Sequence, residues 1–370
     1  MNSHVSILQN THVSSSVFSQ HKELWKNRAL GAICFADLPE GESSAGMADI
    51  PFIHVLTPIL DGVDTTCEVW LSDAGLTQGR RGALRYRYND ELLFGVIELP
   101  ETGPLLTSAT PLQQTTESAY WQILTLLADL NYPFMYRFWN YMADINGVSH
   151  GLERYQQFNL GRQDAFLACG CEVTGELPAA STLGQAHGSL TIAFLAGRTP
   201  ALAIENPRQV SAYDYPQEYG PRSPTFSRAS LLRLPQEEVL FISGTASIVG
   251  HETLHQADVV AQTQETLANL QAVITEANRR LGEAKFDLAN IFYRVYVRHA
   301  ADAALIRNEM NRIIGSQINS TIKAIFLQAD ICRQDLLLEI ETTMGQNICT
   351  EIGRWVDCAP AHRENDLLHV

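Results

Sequence analysis

Residues 239–341 constrain the fold more than any other stretch, because their apolar pattern changes period in a fixed order. Val239-Leu240-Phe241-Ile242-Ser243-Gly244 reads as a strand running into a turn. Asp258 stands where a helix cap belongs, and Val259, Leu267, Leu270, Val273, Ile274, Ala277 and Leu281 follow mostly at three- and four-residue steps. Leu288 to Arg298 alternates as a strand, and Ala301 to Ile314 reads as a short helix. Thr321 to Leu327 and Leu336 to Glu341 read as two more strands. The order β, α, β, α, β, β predicts an α+β unit, a mixed sheet with its helices on one face.

Upstream the elements are shorter. Phe52 to Leu56, Glu68 to Leu71 and Leu92 to Leu99 read as strands, the last stopped by Pro100. Tyr120, Ile123, Leu124, Leu127 and Leu130 mark an amphipathic helix within Thr115 to Leu130. Tyr136 to Ile145 looks like a strand, Gly151 to Leu167 like a helix, and Leu190 to Leu202 is strand-rich. Asn206 to Arg233 differs in kind. Pro207, Pro216, Pro221 and Pro224 break both kinds of ladder there, among Tyr213, Tyr215, Tyr219, Arg208, Arg222, Arg228 and Arg233. A long loop inside a compact domain is functional or disordered, and this one's aromatic content argues for function.

Charge and composition exclude several classes. A formal charge of −15 over 370 residues opposes nucleic-acid binding, which needs a basic face. If the ligand is an anion, local arginines must override that field. No run approaches the ~18 apolar residues of a membrane span. Residues 1–20 are Ser- and His-rich without an apolar core, so they read as a frayed leader and not a secretory signal. The seven cysteines form no CxxC pair or disulfide ladder, which leads us to expect reduced thiols and a cytoplasmic home.

Several stretches together resemble a known family. Phe241-Ile242-Ser243-Gly244, Asp258 to Thr263, Leu267-Ala268-Asn269-Leu270 and Leu337-Leu338-Glu339-Ile340-Glu341 closely resemble the landmarks of RidA (YjgF) proteins. Asn206 to Tyr213 and Tyr219 to Ala229 resemble the signature of bacterial chorismatases, in which a RidA-like domain follows a related N-terminal one. The resemblance implies an α+β fold with a RidA/YjgF-like C-terminal domain preceded by a related N-terminal α/β domain. The expected division is a flexible leader at 1–25, an N-terminal domain at 26–205, a Pro/Tyr/Arg-rich loop at 206–234, a C-terminal domain at 235–350 and a tail at 351–370.

Two motifs suggest metal. His251-Glu252-Thr253-Leu254-His255 fits the HExxH pattern, which works by placing both histidines on one face of a long helix. Here Gly250 precedes it and the apolar helix begins only after Asp258, so a loop is expected, as in RidA-like proteins, where the corresponding loop binds no metal. Cys169-Gly170-Cys171 supplies two thiols, and no neighbouring His or Cys completes a set of four. No metal and no other cofactor is expected.

Glu339 and Glu341 alternate with Leu338 and Ile340, so both carboxylates share one strand face, either toward solvent or toward a site. The resemblance makes Glu339 the catalytic acid/base, because the first glutamate of the Glu-Ile-Glu run points into the family's cleft. Chorismate, the small-molecule partner the family implies, carries an enol ether that becomes labile when its vinyl methylene is protonated. A carboxyl group in a dry pocket with cationic clamps can do this. Arginine suits the clamps, since its planar fork matches a carboxylate bidentately. Tyr155 and Arg162 lie seven residues apart on one helical face. By resemblance Tyr155, Arg162, Tyr215 and Arg228 contact substrate, with Tyr213, Arg208 and Arg222 behind them. Any one of these arginines could equally serve a surface ion pair.

The expected activity is release of pyruvate and 3-hydroxybenzoate. Hydrolysis to a dihydroxycyclohexadienecarboxylate, or a 4-hydroxybenzoate product, is the alternative. Cys332, seven residues before Glu339, matches the family's hydroxybenzoate-forming position, whereas Ala246 stands where a glycine would be expected. An imine deaminase would need an arginine between Gln317 and Cys332, where Lys323 is the only basic residue. A non-catalytic ligand-binding protein is the remaining alternative. The chain could be a monomer or a homo-oligomer.

Overall fold

The apolar runs pair into three sheets. In the computed structural model, residues 8–20, 25–35, 50–60, 67–101, 109–235, 237–289, 291–316, 321–345 and 348–349 are described. The expected tail at 351–370 and the first seven residues of the expected leader lie outside them. Strands β1 (Gln9–Val13), β2 (Ala29–Cys34), β3 (Phe52–His54) and β4 (Cys67–Leu71) form the first sheet. It is completed by β21 (Ile348–Cys349) in the order β21-β1-β4-β2-β3, and α1 (Ser15–Gln20) follows β1.

Two sequence expectations change here. The leader is not frayed throughout, because β1 runs antiparallel to β4 with Asn10 opposite Trp70 and His12 opposite Glu68. Asn10 and Thr11, on its two opposite faces, are both buried, polar residues that the search for apolar runs passed over. Of the cysteines expected to be reduced thiols, Cys34 and Cys67 form a disulfide. They face each other directly across the β2–β4 ladder, a pairing that sequence spacing does not reveal.

The central sheet takes β5 (Thr77–Arg81), β6 (Leu84–Tyr88), β7 (Leu92–Leu99), β8 (Phe134–Ala143), β11 (Ala179–Gln185) and β12 (Leu190–Gly197), in the order β11-β8-β12-β7-β6-β5. Helices α2 (Pro111–Asp129) and α3 (Arg154–Ala168) cover one face. Thr110 caps α2 by accepting from the Gln113 amide, with Pro111 in the first turn. A two-residue ribbon, β9 (Val148–Ser149) and β10 (Leu152–Glu153), leads into α3.

The C-terminal sheet follows the predicted order. It contains β13 (Ala201–Ile204), β14 (Ala229–Arg233), β15 (Glu238–Thr245), β18 (Phe292–Val297), β19 (Lys323–Gln328) and β20 (Leu338–Met344), arranged β13-β14-β15-β20-β18-β19. The β18–β19 pair is parallel and the others are antiparallel, so the sheet is mixed. Helix α4 (Val259–Leu281) starts at the Asp258 cap and ends at Gly282, whose φ of 84° is the left-handed conformation glycine adopts freely. With α5 (Ala303–Met310), α4 covers one face. This is the expected α+β arrangement, a mixed sheet with its helices on one face. The proposed loop is shorter than 206–234, because 229–233 is β14 and pairs with β13 and β15.

The two six-stranded sheets lie face to face. Trp139, Tyr141 and Leu183 from the central sheet meet Phe241 and Tyr296 from the C-terminal one, with Trp70 of β4 among them. The layers therefore run helices, sheet, sheet, helices. Trp70 lies 5.6 Å from Trp139 and 6.0 Å from Phe241, centroid to centroid. These offset aromatic contacts add to the apolar burial between the sheets. Among the described residues, no helix is long and apolar enough to cross a membrane.

Candidate active site

The carboxylates of β20 point away from the helices, into the space between the sheets. Leu338 and Ile340 pack with α4 and α5, so period-two alternation turns Glu339 and Glu341 the other way. Opposite them β15 carries a bulge. Ile242 pairs with Thr342 and Thr245 with Ile340, leaving Ser243 and Gly244 against Glu341 alone. A Cβ on Gly244 would stand 1.8 Å from the Glu339 Oε1, so only glycine lets the strand approach the acid this closely.

Glu341 is an ionised anchor. Arg137 of β8 and Arg294 of β18 both donate to it, as do Ser181 of β11 and the Tyr296 hydroxyl at 3.1 Å. Arg294 also pairs with Glu68 of β4. Burial alone would raise the Glu341 pKa, but Arg294 and Arg137 hold it below the usual carboxylate range. Ser181 Oγ further accepts from the Gly244 amide at 3.0 Å and from Arg137 at 2.5 Å, tying β11 to the bulge.

Glu339 has the opposite character. Burial, reinforced by the Glu341 charge, pushes its pKa up to about 8, against the pull of Arg137 and Arg228. Two carboxyls on one strand face thus divide into an anion and a proton-carrying acid. Glu339 faces a cavity of about 150 Å³, also lined by Tyr155, Ser181, Tyr215, Arg228 and Cys332.

Arg228, at the end of the long loop, is 6% exposed. Its Nη2 donates to the Tyr215 hydroxyl at 2.8 Å and to the Val210 carbonyl at 2.9 Å. Its Nε is buried without a hydrogen-bond partner. Tyr215 is bracketed by two guanidinium groups, Arg228 at 5.5 Å and Arg333 at 5.2 Å from its ring centroid. Burial, with the neighbouring Glu339 charge, pushes the Cys332 thiol up to about 12, so at neutral pH it is a thiol and not a thiolate.

The structure brings Glu339, Tyr155, Tyr215, Arg228, Cys332 and Ala246 onto one cavity wall. Four other residues named from the sequence lie elsewhere. Arg162 is 1% exposed and sits beyond Tyr155 among the rings of Tyr120, Phe138 and Phe166, at 5.0, 5.5 and 5.6 Å. The shared helical face was read correctly, but α3 packs on the central sheet and carries its third turn, with Arg162, into that core. Within it, Arg162 Nε and Nη2 have no hydrogen-bond partner. Tyr213 packs against the same core from a short 3-10 turn. Arg222 reaches outward to Gln163 at 2.6 Å and lies 3.8 Å from Asp164. Arg208 is likewise occupied, donating to Asn269 and Glu265.

The HExxH pentad falls in a hairpin of β16 (Ile248–Val249) and β17 (Glu252–Thr253), not in a helix. Its histidines go separate ways, His251 Nδ1 to the Tyr219 hydroxyl and His255 Nε2 to Glu265, each at 3.3 Å. Cys169 and Cys171 close the end of α3, where Cys169 is the helix C-cap. Ser181, Arg137 and Arg333 were not singled out from sequence. Arg333 had a signal, its place directly after Cys332. The other two had none, since their partners are remote in the chain.

Such a site, a protonated acid beside fixed guanidinium groups between two sheets, is equipped to donate a proton to a small anion. Comparison with known proteins agrees with that class. Residues 68–196 match the family model described as chorismatase FkbO/Hyg5-like, N-terminal. A 3-hydroxybenzoate synthase of Streptomyces hygroscopicus is 36% identical over 285 residues, covering 74% of this chain and 80% of that protein. A chorismatase of Streptomyces rapamycinicus is 36% identical over 287 residues, covering 75% and 82%. A chorismatase crystal structure superposes with a TM-score of 0.78 at 32% identity, covering 92% of this chain and 99% of that one. The chain belongs to the chorismatase family, and is an enzyme of that family rather than an imine deaminase or a passive binder.

Proposed function

We propose that the enzyme splits chorismate into pyruvate and 3-hydroxybenzoate, with Glu339 as the proton donor. The observation that carries this reading is the divided pair on β20. Glu341 is held as an anion by two arginines, so Glu339 keeps its proton near neutrality at the cavity wall. Protonation of the vinyl methylene makes an oxocarbenium centre, which the Glu339 carboxylate left behind stabilises. Cleavage of the bond between the ring and the ether oxygen then releases pyruvate, the ring's own hydroxyl shifts to the vacated carbon, and the aromatising ring returns a proton to the Glu339 carboxylate. The atoms of chorismate equal those of pyruvate plus 3-hydroxybenzoate, so that route consumes no net water, whereas the dienoate route consumes one. Incubation with chorismate and a coupled pyruvate assay tests the reading, and absence of pyruvate would overturn it. The same assay after chelation checks that turnover needs no metal, as the hairpin placement of the HExxH pentad leads us to expect.

Product choice rests on Cys332 and Ala246, which both face the cavity. Cys332 supports 3-hydroxybenzoate, as does the name of one relative. Ala246 in place of a glycine favours the hydrolytic alternative. We expect Cys332→Ala and Cys332→Val to leave pyruvate formation comparatively intact while shifting the ring product toward the dihydroxydienoate. Chromatography of the ring products reads this, and an unchanged product ratio would move product control to Ala246.

Substrate binding rests first on Arg228. Arg228→Ala should weaken chorismate binding with little change in melting, since a hydrogen bond to a charged group contributes roughly 1.5–3 kcal/mol. Arg162→Ala is expected to combine weaker binding with lower stability, because that guanidinium is packed inside a core. Calorimetric titration beside thermal melting separates the two effects.

A further inference from the structure

Arg333 is a cation on the cavity wall that the proton-donating network does not use. It follows Cys332 in the turn before β20, and its Nη1 donates to the His251 carbonyl at 2.8 Å and to Thr253 Oγ1 at 3.3 Å. Its guanidinium carbon stands 4.0 Å from the Tyr219 ring centroid and 5.2 Å from that of Tyr215. Nη2, by contrast, is buried and has no hydrogen-bond partner. The nearby Asp335 is engaged by Thr253 and Gln256. Arg333 and Tyr219 line both the main cavity and a second, more open depression, so they stand between the two, on the side we take as the mouth.

The geometry assigns Arg333 to the ring carboxylate of the substrate, an assignment that rests on the chorismate reading above. Glu339 must reach the vinyl methylene, and the carbon next to that methylene bears the side-chain carboxylate. Arg228, whose carbonyl accepts from the Ser243 amide at 3.0 Å next to the Gly244 that abuts Glu339, is therefore the cation placed for the side-chain carboxylate. The ring carboxylate lies at the other end of the molecule and faces the mouth, where Arg333 offers an unspent donor. The hairpin carbonyl and two tyrosine rings fix the guanidinium before any ligand arrives, so little rotamer freedom is lost on binding. A buried donor without an acceptor is unfavourable in the free protein, and a carboxylate relieves it.

The test titrates three probes separately into wild type, Arg333→Met and Arg333→Lys: 3-hydroxybenzoate, pyruvate and 3-hydroxybenzyl alcohol. In Arg333→Met the affinity for 3-hydroxybenzoate should fall by ~10–100-fold, the reach of one charge-assisted hydrogen bond. Pyruvate and the alcohol, which lacks the ring carboxylate, should bind as before, and Arg333→Lys should recover part of the loss. The KM for chorismate should rise by a similar factor with kcat largely kept. Loss of pyruvate affinity instead would assign Arg333 to the other carboxylate and overturn the proposal. Equal loss for acid and alcohol would show a disturbed cavity wall, and no loss would show no contact, each of which also overturns it. If wild type binds the ring acid through Arg333 yet releases no pyruvate from chorismate, the functional reading fails and the carboxylate site stands.

Discussion

Glu339→Gln should lower pyruvate release from chorismate by ~10²–10⁴-fold, the usual reach of general acid–base catalysis, while chorismate still binds. The parent enzyme's kcat/KM should fall as pH rises through about 8, because the proton that Glu339 donates is then lost. The same group links pH to stability in a definite direction. Its folded-state pKa, about 8, lies above the ordinary value of 4.5, so the folded state holds this proton more tightly than the unfolded chain. That contribution is complete below the ordinary value and is lost as pH rises through the folded one, at about 1.4 kcal/mol per pH unit within the window. A glutamine is neutral throughout and removes the slope. Glu339→Gln should therefore melt higher than the parent at pH 8, and the gap should close toward pH 5. Near-normal pyruvate release by the variant would show that the acid is misassigned. An unchanged melting difference across pH would show that Glu339 is ionised in the folded enzyme.

Glu341→Gln should act mainly on folding. Its carboxylate neutralises two buried guanidinium groups from different strands. Removing one member of such a buried set leaves an uncompensated charge, a loss of about 3–5 kcal/mol. Chemical denaturation at pH 7 measures it. Removing the Glu341 charge also takes away one of the two causes that raise the Glu339 pKa, so the alkaline limb of the activity profile should move to lower pH. A variant as stable as the parent, with its pH profile in place, would mean that the pair on β20 is uncoupled.

What the sequence revealed follows from the range of each interaction. Helix α4 was legible because its signals are local: Asp258 caps within three residues and the apolar face repeats within seven. The shared face of Glu339 and Glu341 was legible for the same reason. The loop's chemistry could be read from its prolines and tyrosines, yet not which arginine turns inward. Arg228 and Arg222 sit six residues apart in similar company, and only packing of the loop on β15 and α3 separates them. Strand β11 was missed because Ala179-Ala180-Ser181-Thr182-Leu183-Gly184-Gln185 has few β-branched residues. Small side chains let this edge strand of the central sheet pack closely on β15, and one of them, Ser181, bonds to both Gly244 and Glu341. Arg137 and Glu341 are 204 residues apart, and no periodicity reports a contact of that kind.

The Glu68–Arg294–Glu341–Arg137 chain has a consequence for how the molecule comes apart. Its members belong to β4, β18, β20 and β8, so a single run of buried charge passes through all three sheets. Peeling any one sheet away exposes a half-neutralised ion to its neighbours, which removes the advantage of losing the sheets one at a time. The layers are thereby coupled, so that separating any one of them disturbs the charge chain beside Glu339. The sheltered setting that the proposed acid requires is held in place by that coupling between sheets.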